Sequence, residues 1–383
     1  GVLVSCGSVK SGEEVVAASR DSKVVVAYVT SWSEVMPDPQ YMTHINYAFG
    51  HVNESFNGVK IDNEERLRQI VDLRKQKPEL KVLLSIGGWG SGRFSEMAAN
   101  DEYRRAFAAD CDRVVKEFAL DGIDIDWEYP TSSMANISSS PDDTENFTLL
   151  MQDIRAAIGN EKELTLATVA SARYIDFKAI LPSVDFVNIM AYDMASAPKH
   201  HSALYPSGHS GDITSDGAVT AHLKAGVPPS KLVMGMPFYG RGGDGYPSFQ
   251  DYNKVGNTDT QYTEKWDEVA QVPYLADKND TLVFGFENPR SLAIKCQYIL
   301  DKDLLGGMYW DYSGDNEQGD LRRTVAENLL GKPHKAKVLV LTERGGQHGG
   351  FTDAGLKWLA AEGAKGNFSI TEINNARNIT EAY

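Results

Sequence analysis

Between Asp121 and Pro130 the chain reads Asp121-Gly122-Ile123-Asp124-Ile125-Asp126-Trp127-Glu128-Tyr129-Pro130. Asp124, Asp126 and Glu128 alternate with Ile123, Ile125 and Trp127, which is the period of a β-strand, so three carboxylates share one face and three apolar side chains the other. A solvated acidic edge is the plain alternative, but the apolar set requires a covered sheet. Ionised carboxylates buried in such a sheet cost several kcal/mol each unless they are paired or keep their protons. Like charges at this spacing cannot all ionise cheaply, so at least one stays protonated near neutral pH and can serve as a general acid. Asp121 lies out of register with the inward set and is read as shaping the strand entry.

The elements that hold this strand follow from the alternation of short β-branched runs with amphipathic helical stretches, the pattern of βα units and a parallel sheet. Eight strands are expected, at Val24–Thr30, His44–Phe49, Lys81–Ile86, Gly122–Trp127, Leu164–Ala170, Phe186–Met190, Leu232–Met236 and Gly306–Trp310. A helix from about Asp143 to Ile158 carries Phe147, Leu150, Met151, Ile154 and Ile158 on one side, with Asp142 and Glu145 as its expected capping box and Gly159 as its stop. Eight such repeats fit a TIM (β/α)8 barrel over residues 23–331, whose catalysis sits at the C-terminal ends of the strands. A doubly wound sheet is the competing architecture; it lacks support because Thr30-Ser31-Trp32-Ser33 stands where a Gly-rich phosphate loop would follow the first strand. Residues 1–22 read as a tether. Residues 332–383 read as the truncated start of a second α/β domain, with a strand at Lys337–Thr342, a helix from about Thr352 to Ala364 and a strand at Phe368–Ile373.

Lys and Arg number 38 and Asp and Glu 53, for a net charge of −15. That field repels nucleic acid and anionic membranes, so a neutral substrate is expected and no nucleic-acid partner. No run of about 18 apolar residues is present, so no transmembrane segment is expected. Cys6, Cys111 and Cys296 are odd in number and far apart, fitting neither a metal set nor a disulfide framework. Cys111 and Cys296 fall on apolar helical faces and read as core. Leu3-Val4-Ser5-Cys6 resembles a bacterial lipobox, which would put a lipid anchor on Cys6; a chance cysteine in a disordered tail is the other reading.

The carboxylate segment matches the DxxDxDxE signature of glycoside hydrolase family 18, the chitinases and their relatives. Ser85-Ile86-Gly87-Gly88-Trp89 resembles the family's SxGG element, Met190-Ala191-Tyr192-Asp193 its MxYD, and Met236-Pro237-Phe238-Tyr239-Gly240-Arg241 and Gly306-Gly307-Met308-Tyr309-Trp310 its seventh and eighth strands. The resemblance covers about residues 23 to 331. It implies that Glu128 is the general acid and then the base, that the substrate's own 2-acetamido oxygen is the nucleophile, and that the outcome is retention. Asp126 would turn between Asp124 and Glu128 and hold the acetamido N–H, while Tyr192 would donate to the acetamido oxygen. Trp310 is the expected floor for the cleaved sugar, with Tyr28, Phe49, Gly88, Trp89 and Met190 around it and Asp193, Tyr239 and Arg241 as polar rim; Arg241 as a structural ion-pair partner is the alternative. No cofactor and no metal are implied.

Only about 24 residues separate Arg241 from Trp266, where many relatives carry a substantial α+β module, so a reduced insertion and a shallower cleft are expected before the eighth strand. The loop Lys199–Gly211, with His200, His201, Tyr205 and His209, is expected to supply a partial wall. The partners implied are chitin or N-acetylglucosamine oligosaccharides, and the location is extracytoplasmic, secreted or as a surface or periplasmic lipoprotein. An endo-β-N-acetylglucosaminidase acting on N-glycan cores, or a chitin-binding lectin without activity, are the competing functions. The segment from Lys337 to Phe351 resembles the opening of trehalose-utilisation-type domains.

Overall fold

Apolar residues on both faces of the eight parallel runs need cover, and the chain provides it by closing the sheet on itself inside and laying helices over its outside. The computed structural model describes residues 23–243, 245–255, 261–331, 336–342, 349–362 and 368–373. The barrel strands are Val24–Thr30, His44–Val52, Lys81–Gly87, Gly122–Asp126, Glu163–Val169, Phe186–Met190, Leu232–Pro237 and Gly306–Trp310. Each pairs in parallel with its neighbours, and the first pairs with both the second and the eighth, so the sheet has no free edge. Register places Ser85 beside Asp124 and Asp124 beside Thr165, a polar layer inside the barrel.

Side chains on the outer face of the strands, Ile123, Ile125 and Trp127 among them, pack with Phe147, Leu150, Met151 and Ile154 from the covering helix. The inner face has its own small core of Val26, Tyr28, Ala48, Phe49, Phe186, Val233 and Met308. Cys111 and Cys296 are both fully buried in the outer layer.

Helix Asp143–Ile158 starts differently from expectation. Asp142 already has helical backbone angles and its side chain caps nothing, so the Asp142–Glu145 box does not form. The neighbouring Asp143 is used instead: buried, it accepts from Ser95 Oγ at 2.7 Å, Thr131 N at 2.9 Å and Ser140 N at 2.8 Å, and so folds the loop after the carboxylate strand back onto the helix. Gly159, at φ 79°, ends the helix as expected.

Two additions to the barrel have little signal in the sequence. Strand Val59–Ile61 turns back antiparallel on the end of the second barrel strand. After the seventh barrel strand, Tyr239–Gly242, Gln250–Asp251, Thr263–Asp267, Val272–Ala276 and Leu282–Gly285 make a five-stranded sheet with antiparallel pairings. The insertion is therefore built around a sheet of its own.

The chain divides into two compact units after Leu330. Beyond it, Ala336–Leu341 and Phe368–Ile373 form a two-stranded parallel sheet with helix Gly349–Glu362 between them in sequence. Cys6 lies outside the described residues. Among the described residues no helix is long and apolar enough to cross a membrane.

Candidate active site

Asp124 is entirely buried in the barrel interior. Its Oδ2 accepts from Tyr28 OH at 2.7 Å and Ser85 Oγ at 2.9 Å, and its Oδ1 from Thr165 Oγ1 at 2.7 Å and Asn188 Nδ2 at 3.5 Å. Burial raises its pKa while these four donors oppose the rise. With its oxygens occupied, Asp124 acts as a fixed base for the stack above it.

Asp126 ends the strand one layer higher, and its Oδ1 is buried without a partner. Burial, then the charges of Glu128 and Asp124, hold its pKa well above the carboxylate range. Its carboxyl interacts with that of Glu128, and this contact adds to the rise. Glu128 lies just past the strand end and is 9 % exposed. Burial pushes its pKa up to about 7, against hydrogen bonds with Asp126 and Tyr129 that lower it, and the nearby charge of Asp193 adds to the rise. A carboxyl poised there can both give and recover a proton near neutrality.

These groups open into a cleft of about 640 Å³ lined by aromatic side chains. Trp310 lies in its floor, stacked on Phe49 at 5.6 Å and 20° and 5.5 Å from Tyr28. Trp32, 66 % exposed, has its ring 6.3 Å from that of Trp310. Trp89, 61 % exposed, stands edge-on to Tyr129. Met190, Tyr192, Asp193, Tyr239 and Arg241 are also part of the lining. Of the expected contact residues, Gly88 alone is not part of it. At φ 99°, a Cβ on Gly88 would sit 2.7 Å from the Phe49 ring, so this glycine makes room for the aromatic floor.

Tyr192 OH has Met308 Sδ, a weak acceptor at 3.6 Å, as its hydrogen-bond partner. Burial first, then Asp126 and Asp193, raise its pKa well above the phenol range, so it stays a neutral donor. Asp193 carries a positive φ of 53°, and its N–H donates to His201 Nδ1 at 3.1 Å. Its carboxylate accepts from Tyr239 OH at 2.8 Å and Arg241 Nε at 2.7 Å. Burial disfavours its charge, but His201 and Arg241 outweigh that and keep its pKa well below the usual range. Arg241 thus lines the cleft and is also an ion-pair partner.

The loop Lys199–Gly211 does not supply a wall. His200 is buried against Asp267 at 3.0 Å, and His201 is buried beneath Asp193 with its ring 5.3 Å from Tyr239. Lys295 and Glu287 form a fully buried pair under the same loop: Lys295 Nζ donates to Ser202 O at 2.5 Å, and Ser202 Oγ donates to Glu287 Oε1 at 3.1 Å. The loop therefore supports the cleft from behind. Asp121 accepts from Val82 N at 2.7 Å and pairs with Arg74, fixing the strand entry.

Trp32, Tyr129, Met134 and Phe249 line the cleft without having been singled out in the sequence. Tyr129 had a usable signal, since it follows Glu128 directly. Trp32 had a weaker one, standing two residues beyond the first strand. Met134 and Phe249 lie in loops with no periodicity to reveal them.

Residues 24–315 match the model of the glycosyl hydrolases family 18. The chain belongs to this family. This family 18 barrel is 30 % identical to chitinase A1 of Niallia circulans over 79 % of the chain, and the chain spans 58 % of the length of that relative. Chitotriosidase-1 of Mus musculus is 31 % identical, over 77 % of this chain and 74 % of that protein. Among solved structures, a family 18 N-acetylglucosaminidase from Paenibacillus barengoltzii superposes with a TM-score of 0.74 at 32 % identity, covering 80 % of this chain and all of the other. Family 18 is a family of glycosyl hydrolases, which agrees with a carboxyl of raised pKa at the mouth of a barrel.

Proposed function

We propose that this glycoside hydrolase is a chitinase, cleaving β-1,4 linkages between N-acetylglucosamine residues of chitin or chitooligosaccharides with retention. The observation that carries the reading is the stack of Asp124, Asp126 and Glu128 climbing one strand into an aromatic cleft, with the neutral Tyr192 donor across from it. Pyranose rings present C–H faces that suit Trp310, and the polar rim suits hydroxyl and acetamido groups.

Glu128, protonated, gives its proton to the glycosidic oxygen as the bond to the anomeric carbon breaks. The acetamido carbonyl oxygen attacks that carbon, closing an oxazolinium ring, and the leaving sugar departs with the proton. Water then attacks the same carbon from the face the leaving sugar vacated, and Glu128 takes the proton from it, so two inversions give retention. Asp126 Oδ1, buried and unpartnered, is the acceptor for the acetamido N–H. Tyr192 donates to the acetamido oxygen and orients it. Asp124 stays in place and keeps the field negative under the developing positive ring.

Exo-acting N-acetylglucosaminidase activity is a second reading, favoured by the likeness to the Paenibacillus barengoltzii enzyme. Products from chitohexaose separate the two: a spread of dimers, trimers and tetramers supports the chitinase, and a steady release of monomer the exo enzyme. A high-mannose glycoprotein assayed beside it tests N-glycan cores. Glu128→Gln should lower the rate on chitohexaose about 10²- to 10⁴-fold; a variant within a few-fold of wild type refutes its role. Binding without any turnover by the wild type would support a lectin. The protein is proposed to work outside the cytoplasm, with Cys6 lipidated; the mass of the N-terminal peptide from a membrane fraction tests this.

A further inference from the structure

Trp89 stands on a backbone that has little stiffness of its own. Gly87, Gly88 and Gly90 have φ of 128°, 99° and 83°, so the residues around the indole lie where only glycine is at ease. The exposed indole has one ring neighbour, Tyr129, at 6.4 Å. Something other than the loop itself must fix its direction.

One end of the loop is fixed at the carboxylate strand, where Gly88 N donates to Asp126 O at 2.9 Å. The other end is Ser91, whose N–H closes a turn on Gly88 O at 3.0 Å. Ser91 Oγ lies 2.8 Å from His51 Nδ1, and His51 Nε2 lies 2.7 Å from Asp62 Oδ2. Asp62 is itself anchored, its N–H donating to Phe49 O at 3.0 Å at the foot of the Val59–Ile61 turn-back. The carboxylate assigns the Nε2 proton, which leaves Nδ1 to accept from the serine hydroxyl. A three-residue relay thus ties the Trp89 loop to the extension of the second barrel strand, behind Phe49.

None of the three side chains belongs to the cleft lining, and none is used in the chemistry. We propose that Asp62, His51 and Ser91 are positioning residues that aim the Trp89 indole at the sugar on the Tyr129 side of the scissile bond, and so set affinity for that sugar without affecting bond cleavage. This rests on reading the cleft as a site for N-acetylglucosamine chains.

Two substrates separate the effects. Chitohexaose can place sugars on both sides of the scissile bond, whereas chitobiosyl fluoride, with a single-atom leaving group, places none on the leaving-group side, where the proposal puts Trp89. A buried or half-buried hydrogen bond contributes on the order of 1 kcal/mol, so Ser91→Ala and His51→Ala should each raise KM for chitohexaose roughly 3- to 10-fold, with kcat within about two-fold. Ser91→Thr, which keeps the hydroxyl, should stay within about two-fold in KM. Both constants for chitobiosyl fluoride should stay within two-fold in all three variants. In a Trp89→Ala background, His51→Ala should add nothing to KM, because the relay acts through the indole.

Unchanged KM in Ser91→Ala and His51→Ala, equal losses in Ser91→Ala and Ser91→Thr, equal losses on both substrates, or full additivity with Trp89→Ala would each overturn the proposal. Amide hydrogen exchange across residues 87–93 needs no substrate and should be faster in Ser91→Ala than in wild type; unchanged exchange also overturns it. If the wild type fails to cleave chitohexaose while exchange accelerates as expected, the substrate reading has failed and the loop tether stands.

Discussion

Replacing Glu128 by Gln should make the barrel more stable above neutral pH even as it disables it. Burial pushes the folded carboxyl up to about 7 from an ordinary value of 4.5, and each pKa unit is worth about 1.4 kcal/mol. Between these values the folded protein holds a proton that the unfolded chain has released, so stability falls as pH rises through the window. The penalty reaches about 3 kcal/mol at pH 8 and is below about 1 kcal/mol at pH 5. Glutamine has nearly the same shape and cannot ionise, so the variant escapes the penalty. Urea unfolding at pH 5 and pH 8, followed by tryptophan fluorescence, gives the comparison; five of the six tryptophans lie within residues 24–315, so the signal reports mainly the barrel. The variant's advantage should grow by about 2 kcal/mol or more from the lower pH to the higher. A variant less stable at pH 8, or a difference that does not change with pH, would refute the assignment of a raised pKa to this carboxyl.

Asp193→Asn removes a negative charge that raises the Glu128 pKa, so the alkaline limb of kcat/KM, expected near pH 7 in wild type, should move to lower pH. A limb that stays put or moves up would contradict the coupling. Gly88→Ala places a methyl group 2.7 Å from Phe49 at φ 99°; thermal melting should record a loss of about 1–2 kcal/mol from the backbone alone, and KM for chitohexaose should rise as Phe49 shifts under Trp310. Asp124→Ala leaves Tyr28, Ser85 and Thr165 hydroxyls without their acceptor in the barrel interior, and urea unfolding at pH 7 should register about 1–3 kcal/mol of destabilisation together with a large fall in kcat.

The barrel strands were legible because a parallel sheet covered on both faces needs apolar residues in every run, and Val24–Thr30, Phe186–Met190 and Gly306–Trp310 fall where alternation places them. The carboxylates were legible for the opposite reason, being polar where the period demands inward side chains. Contacts that depend on distant loops meeting left no such trace. Asp143 and Asp142 are equally good caps in sequence, and only the approach of Ser95 and Thr131 decides which carboxylate is used and for what. The His200–His201 pair likewise carries no sign of its direction: it faces inward because Asp267 and Asp193 arrive behind the cleft from the insertion sheet and the sixth strand. The relay of Asp62, His51 and Ser91 spans 40 residues from His51 to Ser91 and has no spacing to recognise.

The fully buried Lys295–Glu287 pair has a consequence for anyone recombining family members. Through Ser202 it joins the exit of the insertion sheet to the loop that carries His201, and His201 holds the backbone of Asp193. A chimera that exchanges the insertion alone, from Tyr239 to Gly285, keeps Lys295 and Glu287 but sets a foreign sheet against the loop they support. Residues 193–204 and 239–295 therefore form one transplantable module, discontinuous in sequence, and crossover points chosen by sequence continuity alone would cut through it.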